Sequence, residues 1–325
     1  MNKMKALKEC RILVTPTSYG KFNPRLKTEL EAVVGEVIYN PTGKPLTSDE
    51  VARLLPGMDG YIAGLDQIDR QALSAADHLK VIVRYGAGVD KVDLAAAAEK
   101  GIIVSSTPGA NAVAVAELAL CLILMLARQI QPAVSALKKG EWPRVPGLSL
   151  QDKTIGIVGL GAIGKQLALR LAAFDCRVIA HDPYADPQFA ADHHIGLVSQ
   201  ETLTAKSDFI SLHCPVLPAT VGMVNETFLQ SMKKGAFLVN TSRGEVVVES
   251  ALIKALETGH LAGAALDAFE KEPPDPSNPL LSMPQVICTP HLGAQADGAT
   301  NNMGKMALEE CLRVLQGEPP KYQVR

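Results

Sequence analysis

Residues Thr154 to Asp182 read TIGIVGLGAIGKQLALRLAAFDCRVIAHD, and this stretch decides the fold. An apolar, β-branched run, Ile155 to Val158, stops at Gly159; Gly159, Gly161 and Gly164 then fall at G-x-G-x-x-G spacing ahead of a helical pattern, Lys165 to Ala173. The order predicted is strand, tight turn, helix. The first glycine permits the turn, the second lets a pyrophosphate approach the backbone, and the third lets helix pack on strand, while the helix N-terminus presents its N–H groups to phosphate oxygens. A second strand, Arg177 to Ala180, leads to Asp182, 18 residues beyond Gly164. An acid there accepts hydrogen bonds from an adenosine ribose and repels a 2′-phosphate, so NAD is the expected cofactor, with His181 and Arg177 leaving limited NADP use open. With 26 glycines in the chain, a bare G-x-G-x-x-G arises by chance in roughly one such chain in six. The weight therefore rests on the flanking strands, the helix and the carboxylate.

A chain of 325 residues, 47% of them apolar, is too long for one ordinary core and predicts two domains of a soluble globular protein. The formal charge of −2, with acids and bases dispersed, offers no basic face for nucleic acid and no polybasic membrane anchor. Cys10, Cys121, Cys176, Cys214, Cys288 and Cys311 lie far apart with no C-x-x-C pair, so no metal site is expected and buried, reduced thiols in a cytoplasmic protein are. The apolar run near the N-terminus is too short for a signal peptide, and Leu118 to Ala127 is too short to span a bilayer.

Residues 11 to 104 alternate strand and helix without a glycine fingerprint. Ile12 to Thr15, Tyr61 to Ala63, Val81 to Val83 and Ile102 to Val104 read as strands; Pro24 to Val33 and the segments from Thr47, Asp69 and Asp93 read as helices, Thr47 with Glu50 forming a capping box. An α/β domain with an open parallel sheet is expected. After Pro108 and Gly109, residues Asn111 to Arg128 form one helix that is apolar on most sides, so a second subunit is its expected cover. Trp142 reads as a packing or interface anchor. Beyond Asp182 four strands end in polar residues: Phe209 to Leu212 at His213-Cys214-Pro215, Phe237 to Asn240 at Thr241-Ser242-Arg243-Gly244, Leu261 to Leu266 at Asp267, and Val286 to Thr289 at Pro290-His291. In a doubly wound sheet such ends converge on the ligand.

Reduction of a 2-oxo acid needs a cation to hold the carboxylate and a proton donor at the carbonyl oxygen. Arg243 offers a planar fork that lysine cannot copy. His291, on the rigid turn of T-P-H-L-G, is the candidate proton donor, and a carboxylate on its other ring nitrogen would fix the tautomer. Glu272 is the candidate for that carboxylate, with Glu270 and Asp267 close enough in sequence to take the same part. His78, His181, His193, His194 and His260 stand in polar or turn contexts and read as surface residues.

The segments VGLGAIG, HDPY, HCPVLPAT, LVNTSRGEVVVESAL, GAALDAFEKEPP and TPHLGA, in this order and at this spacing, resemble the D-isomer-specific 2-hydroxyacid dehydrogenases over nearly the whole chain, in particular their D-3-phosphoglycerate dehydrogenase branch in a short form without a regulatory domain. The resemblance implies a Rossmann-type doubly wound NAD domain over 105–293 and a discontinuous, flavodoxin-like α/β substrate domain from 1–104 and 294–325. It implies Arg243, Glu272 and His291 as the catalytic set, with Asp267 on the nicotinamide side. Cofactor contacts are implied for Ala162, Ile163, His213, Cys214, Pro215, Thr220, Thr241, Ser242, His291 and Gly293 beside the fingerprint glycines and Asp182. Arg243, the loop Arg84-Tyr85-Gly86-Ala87-Gly88 and Asn111 are the implied substrate contacts, and a homodimer through the long helix is the implied assembly. One departure is Gly64-Leu65-Asp66, where phosphoglycerate enzymes often carry a basic residue; an acid there opposes a phosphate dianion. The expected substrate is thus D-3-phosphoglycerate or a small relative such as glycerate or glyoxylate. The alternative is an NAD(H)-sensing binding protein or corepressor built on the same fold.

Overall fold

Short runs of valine, isoleucine, leucine and alanine, bounded by glycine, aspartate or proline, become buried parallel strands, and the amphipathic segments between them become the helices that cover the sheets. The computed structural model describes residues 5–324. Backbone contacts divide it into two units, one running to Asn111 and resuming at Ala294, the other spanning Ala112–Gly293.

In the first unit β1 (Arg11–Val14), β2 (Glu36–Tyr39), β3 (Gly60–Ala63), β4 (Val81–Arg84) and β5 (Ile103–Ser105) form a parallel sheet in the order β2-β1-β3-β4-β5, the flavodoxin-like arrangement. Register follows the buried residues: Leu13 pairs with Tyr61, Ile62 with Val83 and Ile82 with Val104. Helices start where short polar side chains take up the first N–H groups, Thr47 with Glu50 in a capping box and Asp69 and Asp93 as simple caps. Helix Asp297–Leu315 packs on β3 and β4, so closely that a side chain at Gly60 would meet the Cys311 sulfur. Buried Glu310 on that helix accepts from Ser105 Oγ and from the backbone N–H groups of Lys321 and Tyr322. The tail it holds pairs antiparallel with β5 through Ser105 and Gln323, which covers that sheet edge.

The second unit is a seven-stranded parallel sheet. Its strands are β6 (Thr154–Val158), β7 (Arg177–His181), β8 (Gly196–Leu197), β9 (Phe209–Leu212), β10 (Ala236–Asn240), β11 (Leu261–Leu266) and β12 (Val286–Cys288), ordered β12-β11-β10-β9-β6-β7-β8. The winding reverses between β6 and β9, which makes their carboxyl ends the expected ligand crevice. Helix Ala112–Ala127 lays Ala116, Ala119, Leu122, Ile123 and Leu126 on one face of the sheet, against Ile155, Ile157, Phe209 and Phe237. The Phe209 and Phe237 rings stack there at 4.7 Å, each contributing about 1.5–3 kcal/mol by burial. The other face buries Ile210, Leu212, Leu238 and Ala264 under Phe228, Leu252 and Leu256.

The border between the units falls after Asn111 and not after Val104, because hydrogen bonds hold the intervening turn to the first sheet: Ser106 N to Tyr322 O, Thr107 N to Gly86 O, and Gly86 N to Thr107 Oγ1. The long helix runs Ala112–Ala127; Gln129 then turns left-handed (φ 52°), and Ile130–Lys138 leaves at 65°. Two readings from sequence need correction. Cys121 is exposed on that helix, against the expectation of buried thiols. His181 and His260 are half-buried, bonded to the carbonyls of Val198 and Leu229. Among the described residues no single helix is long and apolar enough to cross a membrane.

Candidate active site

Each fingerprint glycine in the second unit has a separate physical reason. Gly159 has φ 94°, and a Cβ on it would stand 2.8 Å from Cys214 N, so the ends of β6 and β9 touch at the winding reversal. A Cβ on Gly164 would fall 2.1 Å from Gly159 O. Gly161 is the opposite case: it caps helix Ala162–Leu171, and a Cβ there would have no neighbour within 4 Å. That leaves an open approach to a helix N-terminus, with Ala162 exposed and Ile163 half-buried beside it. Asp182 at the end of β7 is held from two sides, its Oδ2 accepting from Leu160 N and its Oδ1 from Tyr184 N, both at 2.8 Å. The carboxylate is thereby fixed beside the glycine turn, as a ribose acceptor needs to be.

At the end of β9, His213 shares its ring nitrogens with Ser211 Oγ (2.9 Å) and Thr241 Oγ1 (3.4 Å). Burial pushes its pKa down to about 4, so the ring is neutral at neutral pH, and burial pushes the Cys214 thiol up to about 11. Thr220 closes the following loop by donating to Pro215 O (2.6 Å) and accepting from Leu217 N (2.8 Å). At the end of β10, fully buried Asn240 accepts from Ser242 N and Ser242 Oγ and donates to Arg243 O, fixing the backbone that carries Arg243. Thr241 and Ser242 are buried; Arg243 is half-buried, and its Nη1 donates to Ser242 O (2.8 Å).

Asp267, at the end of β11, holds the turn after β12. Its carboxylate accepts from Thr289 Oγ1 (2.6 Å), Leu292 N (2.7 Å) and Gly293 N (2.8 Å). Burial raises its pKa, and these three donors pull it back. The turn so held puts His291 at φ 53°, a left-handed conformation that a non-glycine residue adopts at some cost. Its Nδ1 lies 3.0 and 3.1 Å from the two oxygens of Glu272. A carboxylate only accepts, so Nδ1 carries the hydrogen and Nε2 is the nitrogen that can exchange a proton with a substrate. Of the three acids open to this part, Glu272 takes it; Glu270 instead accepts from Glu249 N (2.8 Å). Arg243 is linked to the same ensemble through its neighbour, since a Cβ on Gly244 would lie 1.9 Å from Phe269 C and 2.3 Å from Glu270 N.

The loop given to substrate by resemblance lies in the first unit. Tyr85 is buried and donates to Thr300 O (2.7 Å), Gly86 sits at φ 145°, Ala87 is exposed, Gly88 is half-buried, and Asn111 is half-buried just ahead of the long helix. Arg84 does not offer an exposed charge. Its side chain is buried, Nη1 donating to Ala63 O (2.7 Å) and Nε to Gly88 O (3.1 Å), so it shapes the loop from within. Asp66 is buried too, and accepts from Thr15 Oγ1, Tyr61 OH, Gly64 N and Leu46 N. Sequence reading missed these inward uses because residue type alone does not tell which way a side chain turns. Among the described residues no cluster of His, Cys, Asp and Glu suits a metal ion.

Residues 120–293 match the family described as D-isomer specific 2-hydroxyacid dehydrogenase, NAD binding domain. The D-3-phosphoglycerate dehydrogenase of Archaeoglobus fulgidus is 37% identical over 282 residues, covering 86% of this chain and 54% of that enzyme; the chain thus spans about half the length of the curated relatives it matches. Among solved structures, the TT0316 protein of Thermus thermophilus superposes with a TM-score of 0.86 at 37% identity, covering 97% of this chain and all of that one. The pyruvate reductase of Chlamydomonas reinhardtii superposes at 0.83 with 31% identity, covering 97% and 99%.

Proposed function

Since the chain belongs to the D-isomer-specific 2-hydroxyacid dehydrogenases, we propose that it is an NAD-dependent oxidoreductase interconverting a D-2-hydroxy acid and its 2-oxo acid. The observation that carries this reading is the His291–Glu272 pair on a strained turn at the carboxyl end of the second sheet. The second unit fits the cofactor. Gly159 and Gly164 make the close approaches a dinucleotide turn requires, Gly161 leaves the helix N-terminus open, and Asp182 is fixed for a ribose. When bound, the nicotinamide supplies or takes up the hydride at C2 of the acid.

The chain's own groups handle the proton and the charge. Protonated at Nε2, His291 gives its proton to the carbonyl oxygen in the direction of reduction and takes the hydroxyl proton in the other. Glu272 holds Nδ1 and stabilises the imidazolium. Arg243 binds the carboxylate and polarises the carbonyl. Asp267 keeps the His291 turn in place. D-3-phosphoglycerate is the substrate that the curated relatives' names support. A second reading, a small unphosphorylated acid such as glycerate or glyoxylate, is favoured by the burial of Arg84, which leaves the loop of residues 84–88 without an exposed guanidinium. Rates of NADH and NADPH oxidation with 3-phosphohydroxypyruvate, hydroxypyruvate, glyoxylate and pyruvate separate these readings. NADH binding without reduction of any of them would favour a sensing protein.

The assembly proposed is a homodimer. Its support is apolar surface on and around the two helices: Val134, Leu137 and Trp142 are 45%, 56% and 81% exposed, and a groove of about 470 Å³ is lined by Leu120, Cys121, Leu124, Met125 and Ile130, with Glu117 and Arg128 as its charged members. The cytoplasm is the compartment proposed.

A further inference from the structure

We infer that Glu249 and Glu270 form a latch that positions Glu272 against His291, a role that rests on the oxidoreductase reading above. Both are positioning residues, acting on the reaction through Glu272. The two exchange reciprocal hydrogen bonds, Glu249 N donating to Glu270 Oε1 and Glu270 N to Glu249 Oε1, each at 2.8 Å. Asn278 Nδ2 donates to the second oxygen of Glu249 at 2.7 Å, tying in the far side of the proline-rich loop.

The latch joins a rigid element to a loop. Glu249 is the first residue of helix Glu249–Glu257, whose Leu252 and Leu256 are buried in the sheet core, so its end of the latch cannot drift. The segment Phe269–Glu272 has no regular structure, yet it must deliver a carboxylate within 3.0 Å of Nδ1. Phe269 is buried in the sheet core, and its N–H donates to Glu272 Oε1 at 3.4 Å. The Glu249–Glu270 exchange adds to this hold, as does the backbone of Gly244, which abuts Phe269 and Glu270 so closely that no side chain fits. These last two act two or three residues before Glu272, and both reach it from the segment that follows Arg243. Each carboxylate receives the other residue's N–H, and Glu249 stands in the first turn of its helix, where an acidic side chain is favoured. Glutamine at 270 keeps the oxygen that accepts from Glu249 N, whereas alanine removes it.

The test compares Glu270→Ala and Glu270→Gln in the whole chain, with two readouts. Steady-state kinetics with the best 2-oxo acid should show kcat down about tenfold or more in Glu270→Ala, KM for NADH within about twofold, and kcat near wild type in Glu270→Gln. Proton NMR without substrate should show the downfield Nδ1–H signal of His291, assigned by its loss in His291→Gln, in the wild type and Glu270→Gln, and broadened or absent in Glu270→Ala. An unchanged signal and kcat in Glu270→Ala would overturn the latch, as would a glutamine variant as impaired as the alanine one. Should the wild type reduce no 2-oxo acid while the NMR signal behaves as described, the latch stands and the oxidoreductase reading falls.

Discussion

Glu272 presents both carboxylate oxygens to Nδ1 of His291, at 3.0 and 3.1 Å, while Asp267 grips the backbone just past that histidine through Leu292 N and Gly293 N. One acid orients the ring and the other its turn. Glu272→Gln keeps an acceptor for Nδ1–H but removes the charge that stabilises the imidazolium. The expected result is a fall in kcat of about 10²-fold or more with KM for NADH little changed. Turnover with NADH and a 2-oxo acid checks it, and a loss confined to KM would show that Glu272 merely shapes the site.

Arg243→Lys retains the positive charge and loses the planar fork. Because lysine cannot clamp a carboxylate with paired bonds, kcat/KM for the 2-oxo acid should fall about 10²-fold. NADH binding, followed by fluorescence titration, should survive. Near-normal turnover would count heavily against the clamp.

Gly161 and Gly164 should respond in opposite ways to the same added methyl. At Gly164 a Cβ meets Gly159 O at 2.1 Å, so Gly164→Ala should lower stability by about 1–3 kcal/mol. At Gly161 the space is open, so Gly161→Ala should stay within about 1 kcal/mol of wild type and weaken NADH binding selectively. Thermal melts beside NADH titrations separate the two effects.

His213 makes stability depend on pH. Its folded pKa is about 4 against 6.5 for the ordinary imidazole, so between those values the unfolded chain holds a proton that the folded one does not. Stability is therefore fully present above pH 6.5 and lost as pH falls toward 4, by at most about 3 kcal/mol. In His213→Gln the melting temperature should decline less steeply over that window. Equal slopes would remove His213 from the acid response.

The dimer proposal is tested on its exposed residues. Val134→Glu with Leu137→Glu should turn a dimer into a folded monomer in sedimentation equilibrium. A wild type that sediments as a monomer would end that proposal.

Gly159 and Gly164 were readable in sequence because their demands are made on the backbone, where only glycine meets them, and the runs flanking the turn are apolar. His291 was readable for a similar reason, standing alone among the histidines on a Pro-to-Gly turn after a buried strand. β2, Glu36–Tyr39, was not, since it lies at a sheet edge with its residues half-exposed and shows neither a buried run nor clean alternation. Nor was the fate of Arg84 and Asp66, which turn inward to carbonyls and N–H groups, or the division of labour among Asp267, Glu270 and Glu272, three acids within six residues that differ only in what the fold sets beside them.

The most direct measurement is NADH oxidation by the purified chain with 3-phosphohydroxypyruvate, hydroxypyruvate, glyoxylate and pyruvate, run beside His291→Gln. Steady turnover of at least one acid by the wild type, abolished in the variant although NADH still binds, is the predicted result. Tight NADH binding with no acid reduced, or equal turnover by wild type and variant, would contradict it.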